Sequence, residues 1–94
     1  MDIDNAKRDI ERRFAASESF SHLHVQKYGR SLILLSGPAE APQRHARFTH
    51  IAGNEWGLSF PHHTGKWEKT PFTGTLDELV ETLVTTFPFY LESY

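Results

Sequence analysis

The most regular alternation of apolar and polar positions lies in residues 46–60, where two short runs follow each other. The first run reads Ala-Arg-Phe-Thr-His-Ile and the second reads Glu-Trp-Gly-Leu-Ser-Phe, which gives a period of two. This period is typical of half-buried β-strands. Gly53 and Asn54 lie between the runs, and both residue types tolerate the positive φ of a tight turn. The pattern therefore predicts a β-hairpin around which the rest of the fold is arranged.

Two further strands are predicted before this hairpin. Residues 20–28 alternate with the same period, and Gly29 and Arg30 then make a short turn. Residues 31–36 contain the run Leu-Ile-Leu-Leu, which is apolar on both faces. A strand of this kind is expected at the centre of a sheet, with cover on both sides.

The segments that flank the hairpin are predicted as a loop and a fifth strand. Two prolines and a glycine make residues 37–42 a loop. After the hairpin, residues 66–70 read as a short strand whose Trp67 is expected to pack beside Trp56. We expect residues 71–74, which begin with a proline, to end the sheet.

Apolar spacings of three and four residues predict one helix near each end of the chain. The first helix is expected over residues 4–16, with Asp4 as N-cap and the apolar stripe Ile3, Ala6, Ile10 and Phe14. The second is expected over residues 76–87, with the stripe Leu76, Leu79, Val80, Leu83, Val84 and Phe87. Thr75 and Glu78 have the spacing of a capping box, and Pro88 ends the pattern.

The order of elements indicates an α+β fold. An N-terminal helix, an antiparallel meander of about five strands and a C-terminal helix form two layers most simply when both helices cover one face of the sheet. The 94 residues are expected to form a single domain, residues 1–94.

Composition narrows the setting of the protein. The chain has no cysteine, which favours the cytoplasm over an oxidising compartment. No apolar run approaches the ~18 residues of a membrane span, so we expect no membrane partner. The net charge is −2, but residues 19–72 carry six bases against three acids, and residues 73–94 carry four acids and no base. The sequence therefore predicts a basic sheet and an acidic C-terminal part.

Six histidines raise the question of a metal site. His22 and His24 are two apart on a predicted strand, and His45 joins them if the strand register allows. No His-Glu-x-x-His spacing is present, and few acids are available to steady three or four ligands. We interpret these histidines as solvent-facing strand residues and assign no metal and no cofactor.

Enzyme chemistry finds little support in the sequence. No serine lies in a Gly-x-Ser-x-Gly turn, and the glycines are isolated rather than grouped in a phosphate-binding loop. We assign no catalytic residue, and an enzyme is the less favoured reading.

Nucleic-acid binding is the alternative to protein binding. Arg44, Arg47, Lys66 and Lys69 could contact phosphates, and aromatic residues could stack on bases. Against this, the strand aromatics are expected to face the helices, and the sequence pI of about 6.3 is low for such a function.

Protein association is the function that the pattern favours. The face opposite the helices is predicted to present the polar residues His22, His24, His45, Arg47, Thr49, Glu55 and Ser59 around an apolar centre. The C-terminal aromatic residues are a second candidate, unless they fold back over that face. The candidate partner-binding residues are His22, His24, Arg47, Phe89, Tyr90 and Tyr94. We expect a non-catalytic binding or adaptor protein that acts on another protein or as a homodimer.

Overall fold

The computed structural model describes residues 3–17, 20–62 and 64–91. Two α-helices and a 3₁₀ helix accompany five strands: α1 (Ile3–Ala15), β1 (His24–Tyr28), β2 (Ser31–Ser36), β3 (Gln43–Ala52), β4 (Glu55–Pro61), β5 (Trp67–Gly74), α2 (Leu76–Thr86) and the 3₁₀ helix Pro88–Leu91. The strands form one antiparallel sheet in the order β1-β2-β3-β4-β5. This confirms the predicted helix, five-strand meander and helix of an α+β fold.

The hydrophobic core lies between one face of the sheet and the two helices. Its buried side chains come from α1, from alternate strand positions, from α2 and from the 3₁₀ helix: Ala6, Ile10, Phe14, Leu23, Val25, Leu32, Leu34, Ala46, Phe48, Trp56, Leu58, Phe60, Leu76, Leu79, Val80, Leu83 and Leu91. Helix α1 packs near β1, whereas α2 packs near β4 and β5. Both apolar helical stripes therefore point to the same side of the sheet, as expected from their spacing.

Two glycines set the tight hairpin turns. Gly29 and Gly53 have φ values of 58° and 50°, and each is the first of two residues between paired strands. Glycine at this position is the signature of a type II′ turn, whose twist matches that of the strands. No described residue other than glycine has positive φ, so Gly53 alone supplies the conformation that we had expected Asn54 to share.

The first strand is shorter than the alternation predicted. It begins at His24, and residues 20–23 form a turn in which the Leu23 N–H donates to the Phe20 carbonyl at 3.1 Å. Phe20 packs edge-on against Phe14 of α1, with 6.1 Å between ring centroids. Residues 20–23 thus form a turn that packs on α1, although their alternation is typical of a strand.

The fifth strand is longer than predicted, because the sheet absorbs Pro71 in a bulge. Gly57 pairs with Thr73 and Ser59 pairs with Lys69, so three residues of β5 lie opposite Leu58. The Thr70 hydroxyl donates to the Leu58 carbonyl at 2.8 Å and accepts from the Phe72 N–H at 3.2 Å. These bonds serve backbone groups that the proline, which has no N–H, would otherwise leave unpaired.

The helix ends follow local chemistry. The capping box of α2 is present: the Glu78 N–H donates to the Thr75 hydroxyl, and the Thr75 N–H donates to the Glu78 carboxylate. Asp4 lies inside the first turn of α1 rather than at its N-cap, and it forms an ion pair with Lys27 at 3.2 Å. Arg13 of α1 contacts Asp77 and Glu81, which joins the two helices. In the part of the chain that the structure describes, neither helix has the length and apolar character of a membrane span.

Candidate interaction surface

One face of the sheet points away from both helices, and we call it the open face. Strand alternation places Leu32 and Leu34 in the core, so Ser31, Ile33 and Leu35 lie on the other side. Pairing with these positions brings polar and aromatic side chains from neighbouring strands onto the same face. The open face comprises His24, Gln26, Tyr28, Ser31, Ile33, Leu35, Arg44, Arg47, Thr49, Ser59, Trp67 and Lys69.

Arg47 lies at the centre of this face between two aromatic rings. Its guanidinium carbon is 5.8 Å from the centroid of the Tyr28 ring and 5.8 Å from that of Trp67. Its Nε donates to the Ser31 hydroxyl at 2.9 Å, and that hydroxyl also lies 3.1 Å from the Thr49 hydroxyl. The guanidinium is therefore held in place, while its two terminal nitrogens donate to none of the described residues.

A second arginine extends the arrangement. The guanidinium carbon of Arg44 lies 5.4 Å from the centroid of Trp67, within the range of a cation–π contact. Arg44 is exposed, as is Lys69, which belongs to the same face. Two guanidinium groups thus lie over Trp67. Trp67 does not pack beside Trp56 as predicted, because Trp56 is buried on the other side of the sheet.

Among the described residues, no acid forms an ion pair with the basic groups of the open face. The ion pairs between described residues connect α1 with itself, with Lys27 or with α2. None of them includes Arg44, Arg47 or Lys69. These cations are consequently available to the carboxylates or phosphates of a partner.

The histidines predicted on this face separate into two groups. His24 is exposed on β1, opposite Leu35 of β2, as expected. His22 precedes the strand, and its Nε2 lies 2.7 Å from the carbonyl of Leu91, a core residue, so its predicted place on the open face was wrong. His45 is only 1% exposed and lies on the helix side, so its predicted position on the solvent-facing side was wrong. A β-bulge causes this, because Leu34 pairs with Ala46 and Leu35 pairs with Arg44, which leaves His45 as the extra residue.

His45 holds the last described turn of the chain. Its Nδ1 donates to the Tyr90 carbonyl at 2.7 Å, and its Nε2 lies 2.7 Å from the Ser36 hydroxyl. Burial lowers the pKa of His45, the Tyr90 carbonyl opposes that shift, and the nearby His22 and His24 reinforce it. A neutral ring fits this position, with Ser36 donating to Nε2.

The contact of Ser36 with His45 resembles a nucleophile and its base, but its surroundings do not suit catalysis. Ser36 is 2% exposed, so a substrate cannot reach its hydroxyl. The other ring nitrogen of His45 is bound to a backbone carbonyl rather than to a carboxylate that would stabilise the imidazolium. Nor do the described residues contain a group of three or more histidines and carboxylates placed to hold a metal ion.

The C-terminal residues fold onto the helix side of the sheet. Tyr90 stacks on Phe60, with centroids 4.0 Å apart and planes at 13°, and Leu91 is fully buried. Phe89 remains 58% exposed, and Tyr94 lies outside the described residues. Residues 88–91 therefore do not cover the open face.

A groove of about 290 Å³ lies between α1 and the N-terminal part of α2. Its charged side chains include Asp9, Arg13 and Asp77, and these already form ion pairs within or between the helices. Saturated charges of this kind leave little to attract a ligand, in contrast to the open face.

Sequence reasoning identified Arg47 and His24 on the open face but missed Tyr28, Arg44 and Trp67 as a group. Their alternation along the strands indicated the face on which they lie, but the pairing that brings them around Arg47 depends on the register of all five strands.

No protein-family model, no curated protein and no solved structure matches this chain.

Proposed function

We propose that this chain is a non-catalytic binding protein whose open face docks onto an acidic surface of another protein. The observation that carries this proposal is the arrangement of Arg47 between Tyr28 and Trp67. Arginine, tyrosine and tryptophan are the side chains most enriched among residues that dominate the energy of protein interfaces.

The geometry lowers the cost of binding. The bond from Arg47 Nε to Ser31 fixes the guanidinium before a partner arrives, so little side-chain freedom is lost on docking. The free terminal nitrogens can then grip a carboxylate with two parallel bonds. Arg44 and Lys69 add positive charge around this anchor and favour association with an acidic partner.

Nucleic-acid binding is the second candidate, and the unneutralised cations support it. Stacking of bases, however, requires free ring faces. Arg47 already lies over Tyr28, and both arginines lie over Trp67. The occupied rings favour a protein partner.

We also propose a cytoplasmic location, for which the support is the absence of cysteine.

The experiment compares partner capture by three forms of the chain. The open-face variant, Arg44→Glu/Arg47→Glu, reverses the charge of two side chains of the open face. The α1 variant, Arg8→Glu/Arg12→Glu, makes the same change in net charge on α1. The original chain and the α1 variant should capture the same proteins from the source cells. The open-face variant should capture roughly tenfold less of them, or even less than that. Circular dichroism would verify that all three forms fold.

A short single-stranded DNA and a short RNA test the alternative in the same buffers. If the chain binds either nucleic acid, and this binding weakens steeply with salt and is lost in the open-face variant, nucleic acid rather than protein would be the partner of the open face. Equal protein capture by all three forms would exclude the open face as the docking surface.

A further inference from the structure

Five aromatic rings form a contiguous cluster at the C-terminal end of α2, away from the open face. We call it the aromatic cluster; its members are Phe60, Phe72, Phe87, Phe89 and Tyr90. Phe87 is its hub, with ring centroids 5.3 Å from Phe60, 5.5 Å from Phe72 and 6.2 Å from Phe89. Such edge-to-face packing fixes the orientation of the rings.

The outer part of the cluster is exposed. Phe72, Phe89 and Tyr90 are 38%, 58% and 36% exposed. Three large aromatic side chains that touch common neighbours make one apolar patch instead of scattered single residues. Contiguous patches of this kind mark interaction surfaces.

The chemistry of the patch indicates what covers it. Residues 70–76 and 82–91, which contain its exposed rings, have no charged side chain, although 23% of the chain is charged. Glu68 lies at the edge of the cluster, opposite Phe60. Its polar groups include the exposed hydroxyl residues Thr85 and Thr86. A patch whose exposed rings lie among uncharged residues can face its own copy with little electrostatic repulsion, whereas the basic open face cannot.

We propose that two copies of this chain associate through their aromatic clusters around a two-fold axis. In such an isologous contact the same patch is used by both subunits, so each Phe89 meets the cluster of the other subunit near the axis. The open faces of both copies remain available to other partners.

The patch is suited to this contact because the segment that carries it is held before association. His22 and His45 bind the carbonyls of Leu91 and Tyr90, each at 2.7 Å, and Leu91 anchors the turn in the core. Phe89 directly precedes these anchors in the chain and its ring is exposed, which makes it the residue best suited to a test.

The experiment measures the mass of the full chain in solution by light scattering. Over a concentration range of about 100-fold, the mass should rise from that of one chain towards twice the 10.8 kDa of the chain. Phe89→Asp and Phe89→Lys should each raise the dissociation constant roughly 30-fold or more, because each places like charges near the axis. The control Tyr28→Ser removes an aromatic side chain of similar exposure from the open face and should leave the dimer intact.

Mixing the two Phe89 variants gives the decisive measurement. An aspartate on one copy and a lysine on the other should restore a dimer that neither variant forms alone. A single-chain mass for the original protein up to about 1 mM would overturn the proposal. So would a dimer that survives both Phe89 variants, or one that is lost in Tyr28→Ser.

Discussion

The apolar side chains on both faces of strand β2 are buried, but different parts of the molecule cover them. Leu32 and Leu34 are fully buried under the helices, whereas Ile33 and Leu35 are 8% and 5% exposed on a face that carries no described helix. On that open face the cover comes from side chains of neighbouring strands, and Arg47 lies directly opposite Ile33. The aliphatic stem of an arginine can shield an apolar residue while its charged end stays in water.

This difference separates stability from function within one sheet. The helix side uses its polar groups internally, in ion pairs, in the capping box of α2 and in the bonds of His45. On the open face, longer side chains cover the apolar residues Ile33 and Leu35. The cationic ends of these side chains have no acidic partner among the described residues. A sheet can thus hold its core on one side and keep charged groups free for binding on the other.

The largest expected effect compares two adjacent leucines. Leu34→Ala should lower the free energy of unfolding by about 3 to 4 kcal/mol, because it leaves a cavity between the sheet and the helices. Leu35→Ala should cost less, about 1 to 2 kcal/mol, because long side chains at a surface can move into the vacated space. Urea denaturation of both variants measures the two values.

Equal losses in the two variants would mean that the open face is as tightly packed as the core. In that case the side chains around Arg47 would pack over Ile33 and Leu35 as closely as the helices pack over Leu32 and Leu34.

The elements that could be predicted from the sequence are those fixed by local patterns. The apolar stripe of α2 and its capping box depend on residues within three or four positions of each other. The hairpin of β3 and β4 likewise follows from alternation and from Gly53. Short-range geometry of this kind leaves the sequence few alternatives.

The bulges could not be predicted, because they depend on contacts between strands. His45 alternates like a solvent-facing residue, but one extra residue in β3 turns it towards the helix side. Pro71 indicates the end of a strand, yet the Thr70 hydroxyl allows β5 to continue. In both cases a hydrogen bond to a distant part of the chain decides the outcome.

The candidate site was predictable in part for the same reason. Arg47 was placed correctly on the open face by its alternation with Phe48. The two rings beside it come from β1 and β5, whose approach depends on the complete strand order. Sequence periodicity identifies which face a residue occupies but not which side chains meet there.

A smaller effect is expected from removing one threonine hydroxyl on each side of the sheet. Thr75→Ala should lower the free energy of unfolding by about 1 kcal/mol, because the Thr75 hydroxyl caps α2. Thr49→Ala should cost about 0.5 kcal/mol or less, because Ser31 keeps its bond to Arg47 when the Thr49 hydroxyl is lost. The measurement is thermal or urea unfolding, and a larger loss for Thr49→Ala would show that the polar network of the open face stabilises the fold.

The same capping interaction provides an independent readout. Bonds from the Thr75 backbone and hydroxyl group hold the pKa of Glu78 below its ordinary value. In Thr75→Ala the pKa of the Glu78 carboxyl should move back up, which a carbon-detected NMR titration would follow.

The smallest effect concerns pH and compares two histidines. Burial lowers the pKa of His45 below its ordinary value of 6.5, so the unfolded chain takes up this proton at a higher pH than the folded chain. Below that value the unfolded state binds more protons, and the contribution of His45 to stability falls as the pH falls. His45→Asn keeps a side-chain N–H near the Tyr90 carbonyl but has no ring to protonate.

The free energy of unfolding, measured by urea denaturation between about pH 7 and pH 5, should therefore depend less on pH in His45→Asn than in the original chain. His24 lies on the open face and lowers the pKa of His45 less than burial does, so His24→Asn should change the slope less than His45→Asn does. An unchanged slope in His45→Asn would place the pH dependence elsewhere in the chain. A reduced slope in that variant alone would show that the buried side of the sheet senses pH, because burial disfavours the protonated form of the His45 ring.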